Sequence, residues 1–289
     1  MEVVTKIEEV RAAVSGAREA GRSVGFVATM GALHEGHLSL IRRSVADTGF
    51  TVVSNYVNPT QFGPGEDFEE YPRTLEADNA ACEQAGVGLV YVPLTEELYP
   101  TGHATWVEVA GLSEAFEGKA RPRHLRGVAT VVTKLLNIVR PDRAYFGRKD
   151  AQQLTVIRRL VRDLCLPVEI VAMPTVRDAD GLAFSSRNRR LSAEERRDAL
   201  CLVQALRLAE HLVNAGETEV PALFDRMHGV IDPVAAAEID YIAAVDPDTF
   251  LRKDHVDGPT LIVLAVAVGS IRLIDNCLVG RGAEQGGEA

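Results

Sequence analysis

The sequence predicts an α/β protein in which a Rossmann-like parallel sheet domain is followed by a smaller C-terminal α+β lid domain. Two observations lead to this prediction. Apolar, β-branched runs alternate with helical periods as far as residue 173, which is typical of strand–helix–strand units. Beyond Pro221 the pattern changes to one helix and three strands, two of them joined by a Gly-Ser turn. We therefore place the domains at residues 1–175 and 176–280, with a disordered tail at 281–289.

Composition excludes several classes of protein. The chain has 289 residues, of which 46% are hydrophobic and 25% charged, and its net charge is −10. Such a chain can bury a large core, and it lacks the positive charge that binds nucleic acid or an anionic membrane. No apolar run reaches the roughly 20 residues of a membrane span, and the N-terminus does not resemble a signal peptide. We expect a cytoplasmic protein whose four isolated cysteines form no disulfide framework.

The first half of the chain alternates between the two periodicities. Residue 21 is a glycine, which favours ending the first helical period there. The run 51–57 is rich in β-branched residues, and the apolar positions of 125–140 cover more than one helical face, as in a central helix. The predicted helices cover 7–20, 38–45, 74–85, 125–140 and 151–164; the predicted strands cover 24–28, 51–57, 89–92, 143–146 and 168–173, with a short edge strand at 106–109.

The second half opens with a helix start signal. Ser192 is followed three residues later by Glu195, the pattern of a capping box, and we predict one long helix over 192–215. A second helix covers 221–230. The predicted strands cover 239–242, 261–268 and 271–276, and Gly269-Ser270 predicts a hairpin between the last two.

The stretch 29–37, Thr-Met-Gly-Ala-Leu-His-Glu-Gly-His, joins the first long strand to a helix. The unpaired N–H groups and the dipole of a helix N-terminus attract anions, and a glycine turn lets the backbone approach one. His34 and His37 lie three residues apart and would project to the same side of a helix that begins near His34. We interpret the stretch as a nucleotide phosphate site, although two surface histidines or part of a metal site would fit the pair alone. A zinc protease motif is excluded by the spacing.

Three more polar segments follow predicted strands. Asn58 and Gln61 are candidate substrate contacts, although Asn58 also suits the turn before Pro59. Gly147 to Asp150 repeats the junction of a strand, a glycine and a helix. The segment 177–190 is too polar and charged for a core; it is either a solvated loop or a phosphate clamp built on Ser185, Ser186 and Arg187. Together, these segments favour phosphoryl or nucleotidyl transfer.

The same segments closely resemble the pantoate–β-alanine ligase family, the pantothenate synthetases, over about residues 1–280. The residues that carry the resemblance are Thr29 to His37, Asn58 to Gly63, Tyr71 to Thr74, Gly127 to Lys134, Pro141 to Arg143, Lys149 to Gln153 and Ser185 to Asn188. The element His34-Glu35-Gly36-His37 is also similar to the His-x-Gly-His signature of the wider nucleotidyltransferase superfamily.

The resemblance implies a reaction in which ATP and pantoate form a pantoyl adenylate, which β-alanine then attacks to give pantothenate and AMP. It also implies Mg²⁺ and a homodimer. The catalytic residues would be His37, His34 and Lys149. The pantoate ligands would be Gln61, Gln153 and Asn58. The ATP ligands would be Met30, Gly31, Ala32, Leu33, His34, Glu35, Gly36, His37, Gly147, Arg148, Lys149, Asp150, Val176, Phe184, Ser185, Ser186 and Arg187; no metal ligand is assigned.

Four positions depart from the family pattern: Ala28 replaces a proline, Leu125 a phenylalanine, Arg148 a glutamate and Phe184 a methionine. None of them removes a proposed catalytic group. The rival predictions are another adenylate-forming enzyme, distinguished by its acceptor, and a regulatory protein that binds ATP without turning it over.

Arg148 reverses a charge beside Lys149, and we therefore predict retained activity with an altered affinity for ATP. Equilibrium ATP binding to wild type and to Arg148→Glu measures the effect. Equal dissociation constants for the two proteins would contradict the prediction.

Overall fold

The computed structural model describes residues 1–66 and 68–282, which divide into two compact units. Of these, residues up to 147 and 152–173 form the first unit, and residues 148–151 and 174–282 form the second. The assignment of nucleotide and substrate binding to one domain and of closure to the other stays a prediction. Of the predicted tail, Arg281 and Gly282 form a turn, and residues 283–289 lie outside the described residues.

The first unit is built on a six-stranded sheet in which every neighbouring pair of strands is parallel, in the order β1-β4-β3-β2-β5-β6. Its strands are β1 (Glu2–Val4), β2 (Val24–Thr29), β3 (Phe50–Asn55), β4 (Leu89–Tyr91), β5 (Arg143–Gly147) and β6 (Glu169–Met173). Its helices are α1 (Ile7–Glu19), α2 (Glu35–Asp47), α3 (Leu75–Gln84), α4 (Thr95–Leu98), α5 (Glu117–Ala120), α6 (His124–Val139) and α7 (Ala151–Asp163), of which Ala151 belongs to the second unit.

The direction of winding reverses between β2 and β5. The chain runs outward from β2 through β3 to β4 and then returns to place β5 on the other side of β2. Val27 and Tyr145, both fully buried, pair across this central boundary. In open parallel sheets, ligands bind at the carboxyl ends of the strands where the order reverses. Here those ends are Thr29 and Gly147.

The second unit contains the antiparallel sheet β7-β8-β9, which packs with two helices around its own core. Its elements are α8 (Ala193–Asp198), α9 (Leu200–Asn214), α10 (Val220–Ile231), β7 (Ala237–Val245), β8 (Thr260–Val268) and β9 (Ile271–Val279). Leu206 of α9, Leu223 of α10 and Leu264 of β8 are almost fully buried in this core. Burial of each such side chain stabilises the fold by about 2 kcal/mol.

The predicted fold class is confirmed, and the differences lie in individual elements. The edge strand predicted at 106–109 is wrong: the segment has no regular structure, and the Val107 N–H donates to Thr130 Oγ1 at 3.0 Å. The long helix predicted at 192–215 is interrupted at Ala199, although the Ser192–Glu195 capping box that starts α8 is present. Strand β1 was missed because it has three residues, two of them exposed.

The four cysteines are all free thiols. Cys82, Cys201 and Cys277 are buried, and Cys165 is exposed just after α7. Burial raises the pKa of Cys82 and of Cys201 to about 11. No helix within residues 1–66 and 68–282 is both long and apolar enough to cross a membrane.

Candidate active site

The turn that follows β2 depends on a glycine. Gly31 has φ = 78°, in the left-handed region, and its N–H donates to Thr29 Oγ1 at 3.3 Å. A Cβ atom at this position would lie 2.5 Å from Asn55 Oδ1 and 3.0 Å from Asp78 Oδ2. Both the backbone conformation and the close approach of these side chains therefore require a residue without a Cβ.

A buried carboxylate that sequence reasoning missed holds this turn. Asp78 lies in the first turn of α3 and is only 4% exposed. Its oxygens accept the Ala32 N–H at 3.0 Å and the Leu33 N–H at 2.9 Å. They also accept hydrogen bonds from Asn55 Nδ2 at 3.0 Å and Thr74 Oγ1 at 3.1 Å. Two backbone amides of the predicted anion-binding stretch are thus bonded to the protein's own carboxylate.

The predicted histidine pair meets at the start of α2. His34 is the N-cap residue in extended conformation, and the helix begins at Glu35. The imidazole rings of His34 and His37 are stacked, with centroids 4.0 Å apart and an angle of 26° between the ring planes. The two rings therefore project to the same side of the helix terminus, as the spacing predicts. Glu35 is ion-paired with Arg42, whose hydrogen bond lowers the pKa of the Glu35 carboxyl.

The predicted substrate contact Gln61 lies beside Met30. Gln61 is 7% exposed, and its Nε2 lies 2.7 Å from Met30 Sδ. Asn58 is 1% exposed and donates from Nδ2 to Gln61 Oε1 and to the Gly127 carbonyl, both at 3.2 Å. Its Oδ1 accepts the Thr60 N–H at 3.3 Å. Asn58 therefore shapes the turn and orients Gln61, and its predicted contact with substrate stays a prediction.

Helix α6 fixes the same turn from the other side. A Cβ on Gly127 would collide with the Thr60 carbonyl oxygen and lie 2.7 Å from the Gln61 Cα atom. His124, at the start of α6, bonds through Nδ1 to the Gln61 carbonyl at 2.8 Å. Its Nε2 lies 3.2 Å from Arg121, which is in turn ion-paired with Glu66 at 2.5 Å. This chain of contacts was not expected from the sequence.

His124 should make the stability of the protein fall in mild acid. Burial, with a smaller contribution from the Arg121 charge, lowers the pKa of His124 to about 4. In the unfolded chain its pKa is about 6.5, so between these pH values the unfolded state binds a proton that the folded state does not. The free energy of unfolding therefore falls with pH from about 6.5 to 4, by up to about 3 kcal/mol from this residue.

Urea unfolding of wild type and His124→Asn at several pH values between 7 and 4 measures this effect. Asparagine keeps an N–H donor for the Gln61 carbonyl but does not titrate, so the pH dependence of the variant should be shallower. An equally steep loss of stability in the variant would assign it to other groups.

Two consecutive glutamines, Gln152 and Gln153, lie in the first turn of α7. Gln152 is 5% exposed; it accepts the Glu117 N–H and donates to the carbonyls of Leu112 and Ala115. Gln153, the predicted pantoate ligand, is half-buried on the same helix. Gln152 thus supports the segment before α6, and the role of Gln153 as a pantoate ligand stays a prediction.

The predicted ATP-binding segment 147–150 is divided between the two units. Gly147 ends β5 in the first unit, beside the end of β2, and a Cβ there would meet open space. Arg148, Lys149 and Asp150 form a 3-10 turn that belongs to the second unit. The Lys149 ammonium lies 3.5 Å from the Asp150 carboxylate and is one-fifth exposed.

The segment that carries Val176 and Phe184 is a tight hairpin of the second unit. The Phe184 N–H donates to the Val176 carbonyl at 3.0 Å, and Arg177 pairs with Ala183. Leu182 and Ala183 are buried, so the expectation that this segment is too polar for a core is wrong for its middle. Ser185 caps a 3-10 turn over Ser186–Arg190, and its Oγ accepts the Arg187 N–H at 3.3 Å.

Within residues 1–66 and 68–282 there is no group of three or more His, Cys, Asp or Glu side chains that could hold a metal ion. A parallel sheet with a glycine turn and paired histidines at its point of reversal is the arrangement of a nucleotide-binding α/β enzyme. Comparison with known proteins gives the particular family.

A family model described as pantoate-beta-alanine ligase matches residues 2–278. The pantothenate synthetase of Moorella thermoacetica is 52% identical over 279 residues, covering 96% of this chain and 99% of that one. A crystal structure of pantothenate synthetase from Thermus thermophilus is 46% identical, with a TM-score of 0.91 over 96% of this chain and 99% of that chain. The Francisella tularensis ligase, crystallised with beta-gamma ATP and beta-alanine, is 32% identical, with a TM-score of 0.79, over 96% and 97%.

The chain belongs to the pantoate–β-alanine ligase family. It is an enzyme, a ligase of pantothenate biosynthesis, as the resemblance implied.

Proposed function

We propose that this ligase joins pantoate to β-alanine in two steps through a pantoyl adenylate. In the first, a pantoate carboxylate oxygen attacks the α-phosphorus of ATP, and the bond to the β-phosphate oxygen breaks to release pyrophosphate. In the second, the uncharged β-alanine amine attacks the acyl carbon, AMP leaves with the electron pair of the bond between the acyl carbon and the phosphate oxygen, and the nitrogen loses one proton to solvent to become the amide. The observation that carries the proposal is the stacked histidine pair at the N-terminus of α2.

The histidines suit the charge that develops in the first step. Two ring N–H donors beside the positive end of a helix dipole stabilise the α-phosphate oxygens as negative charge accumulates there. We propose that His34 and His37 supply these donors and that the Lys149 ammonium acts on the same phosphates. Because Ala32 and Leu33 donate to Asp78, we assign phosphate binding in this stretch to the histidines rather than to those two amides.

We also propose which residues bind pantoate and the rest of ATP. Gln61 and Gln153 would bind pantoate through their carboxamides. Gly31 and Gly147 would let ATP approach the backbone closely, and Arg187, Ser185 and Ser186 would bind its phosphates. Mg²⁺ would arrive as the MgATP complex, since Mg²⁺ at such sites is held largely by phosphates and water. The ATP ligands proposed in full are residues 30–37, 147–150, Val176 and 184–187.

The adenylate is tested by isotope exchange. With pantoate present and β-alanine absent, labelled pyrophosphate should enter ATP, and pantothenate should appear only after β-alanine is added. Pantoate labelled with ¹⁸O in its carboxylate should transfer one label to AMP. Release of ADP and inorganic phosphate instead would identify an acyl phosphate and reject the adenylate, whereas ATP binding without turnover would favour the regulatory protein.

We also propose that the enzyme is cytoplasmic and that it is a homodimer, the second of which the family resemblance implies. Light scattering after size-exclusion chromatography would give twice the mass of the 31.3 kDa chain. A mass equal to one chain at assay concentrations would reject the dimer.

A further inference from the structure

The last strand of the second unit contacts two of the segments to which ATP binding is assigned. Asn276 of β9 is 8% exposed. Its Nδ2 donates to the Arg148 carbonyl at 3.0 Å and to the Lys149 carbonyl at 2.9 Å. One side-chain amide therefore donates both of its hydrogens to two successive carbonyls of the 3-10 turn that carries the Lys149 side chain.

The preceding residue holds the hairpin that carries Val176 and Phe184. Asp275 is 4% exposed and receives a bidentate pair of hydrogen bonds from Arg177, at 2.6 and 2.9 Å. Arg177 also donates to the Gly181 carbonyl at 3.2 Å, which closes the hairpin on itself. The Asn276 N–H donates to Asp275 Oδ1 at 2.8 Å. The residue that holds the 148–149 turn is therefore bonded to the residue that holds the hairpin.

We propose that Asn276 is a positioning residue for the ligase reaction, which acts through Lys149 by fixing the backbone of the 148–149 turn. The neighbouring Asp275 fixes the second segment from the same strand, so that the dipeptide 275–276 sets the relative placement of both. The inference rests on the proposed function of Lys149. Misplacing a charged group by about 1 Å costs up to about a hundredfold in rate, so the two hydrogen bonds are expected to matter for turnover.

The test variant is Asn276→Asp, which keeps the shape of the side chain. It removes both donors and places carboxylate oxygens against two carbonyl oxygens, which repel it. We expect pantoate-dependent pyrophosphate exchange to fall about tenfold to a hundredfold in kcat, with KM for pantoate unchanged. Asn276→Ala removes the donors without adding charge and should show the same loss. It is the test variant if Asn276→Asp does not fold. Asn214→Asp, on an exposed residue at the end of α9, is the matched control and should behave as wild type.

A double-mutant cycle with Lys149→Ala separates positioning from a general structural effect. If Asn276 acts through Lys149, then Asn276→Asp should lower the rate less than about twofold in the Lys149→Ala background. Equal fold losses in both backgrounds, or a wild-type rate for the single variant, would overturn the inference. Failure of the proposed function is distinguishable, because wild-type enzyme would then show no pantoate-dependent exchange, or Lys149→Ala would exchange as fast as wild type.

Discussion

Replacement of His37 by alanine should lower pantoate-dependent pyrophosphate release at least about a hundredfold while leaving the fold intact. The ring of His37 lies against that of His34 at the helix terminus, 4.0 Å away between centroids. A donor placed where charge develops contributes to the transition state far more than to the ground state, so kcat should fall more than ATP binding. His34→Ala should act in the same direction.

The measurement is the single-turnover rate of pyrophosphate release, with circular dichroism to check the fold. His255→Ala serves as a control because His255 is an exposed residue of the second unit that contacts Glu219. Its rate should match that of wild type. Substantial pyrophosphate release by folded His37→Ala would remove His37 from the reaction.

Replacement of Asp78 by asparagine should destabilise the protein by about 3 kcal/mol and lower kcat at the same time. The Asp78 carboxylate accepts four hydrogen bonds, two on each oxygen. An asparagine has the same shape but can accept on only one of these atoms, so its NH₂ group faces the backbone N–H of Ala32 or Leu33, which loses its acceptor. The turn before His34 then loses part of its support.

Glu83→Gln makes the same chemical change on an exposed residue of the same helix, α3, and should alter neither quantity. Urea titration measures the free energy of unfolding, and pyrophosphate exchange measures kcat. A stable Asp78→Asn enzyme with wild-type kcat would show that the turn keeps its conformation without the carboxylate.

The order of strands and helices could be predicted because each element depends on its own sequence. β3 is a β-branched run, and α2 begins at Glu35, directly after the residue His34 near which its start was expected. The interruption at Ala199 was missed because the helical period continues through it. Likewise, the sequence of 106–109 looks like that of a strand. Its Val107 N–H bonds to a side chain, Thr130 of α6, instead of to a neighbouring strand, and this contact cannot be read from the local sequence.

The supporting residues of the site could not be predicted for a different reason. Asp78 acts on amides 45 and 46 residues away, and His124 acts on a carbonyl 63 residues away. Asn276 reaches carbonyls 127 and 128 residues away. A motif shows residues that face a ligand, but contacts over such separations exist only once the chain has folded.

The distribution of thiols makes this enzyme suitable for optical labelling without mutagenesis. Cys165 is exposed, and the other three cysteines are buried with raised pKa values, so few of them carry the thiolate that reacts with maleimides. One equivalent of dye should therefore attach just after the end of α7, at Cys165. A fluorophore would then mark the unmodified sequence at a single position, with no cysteine to remove.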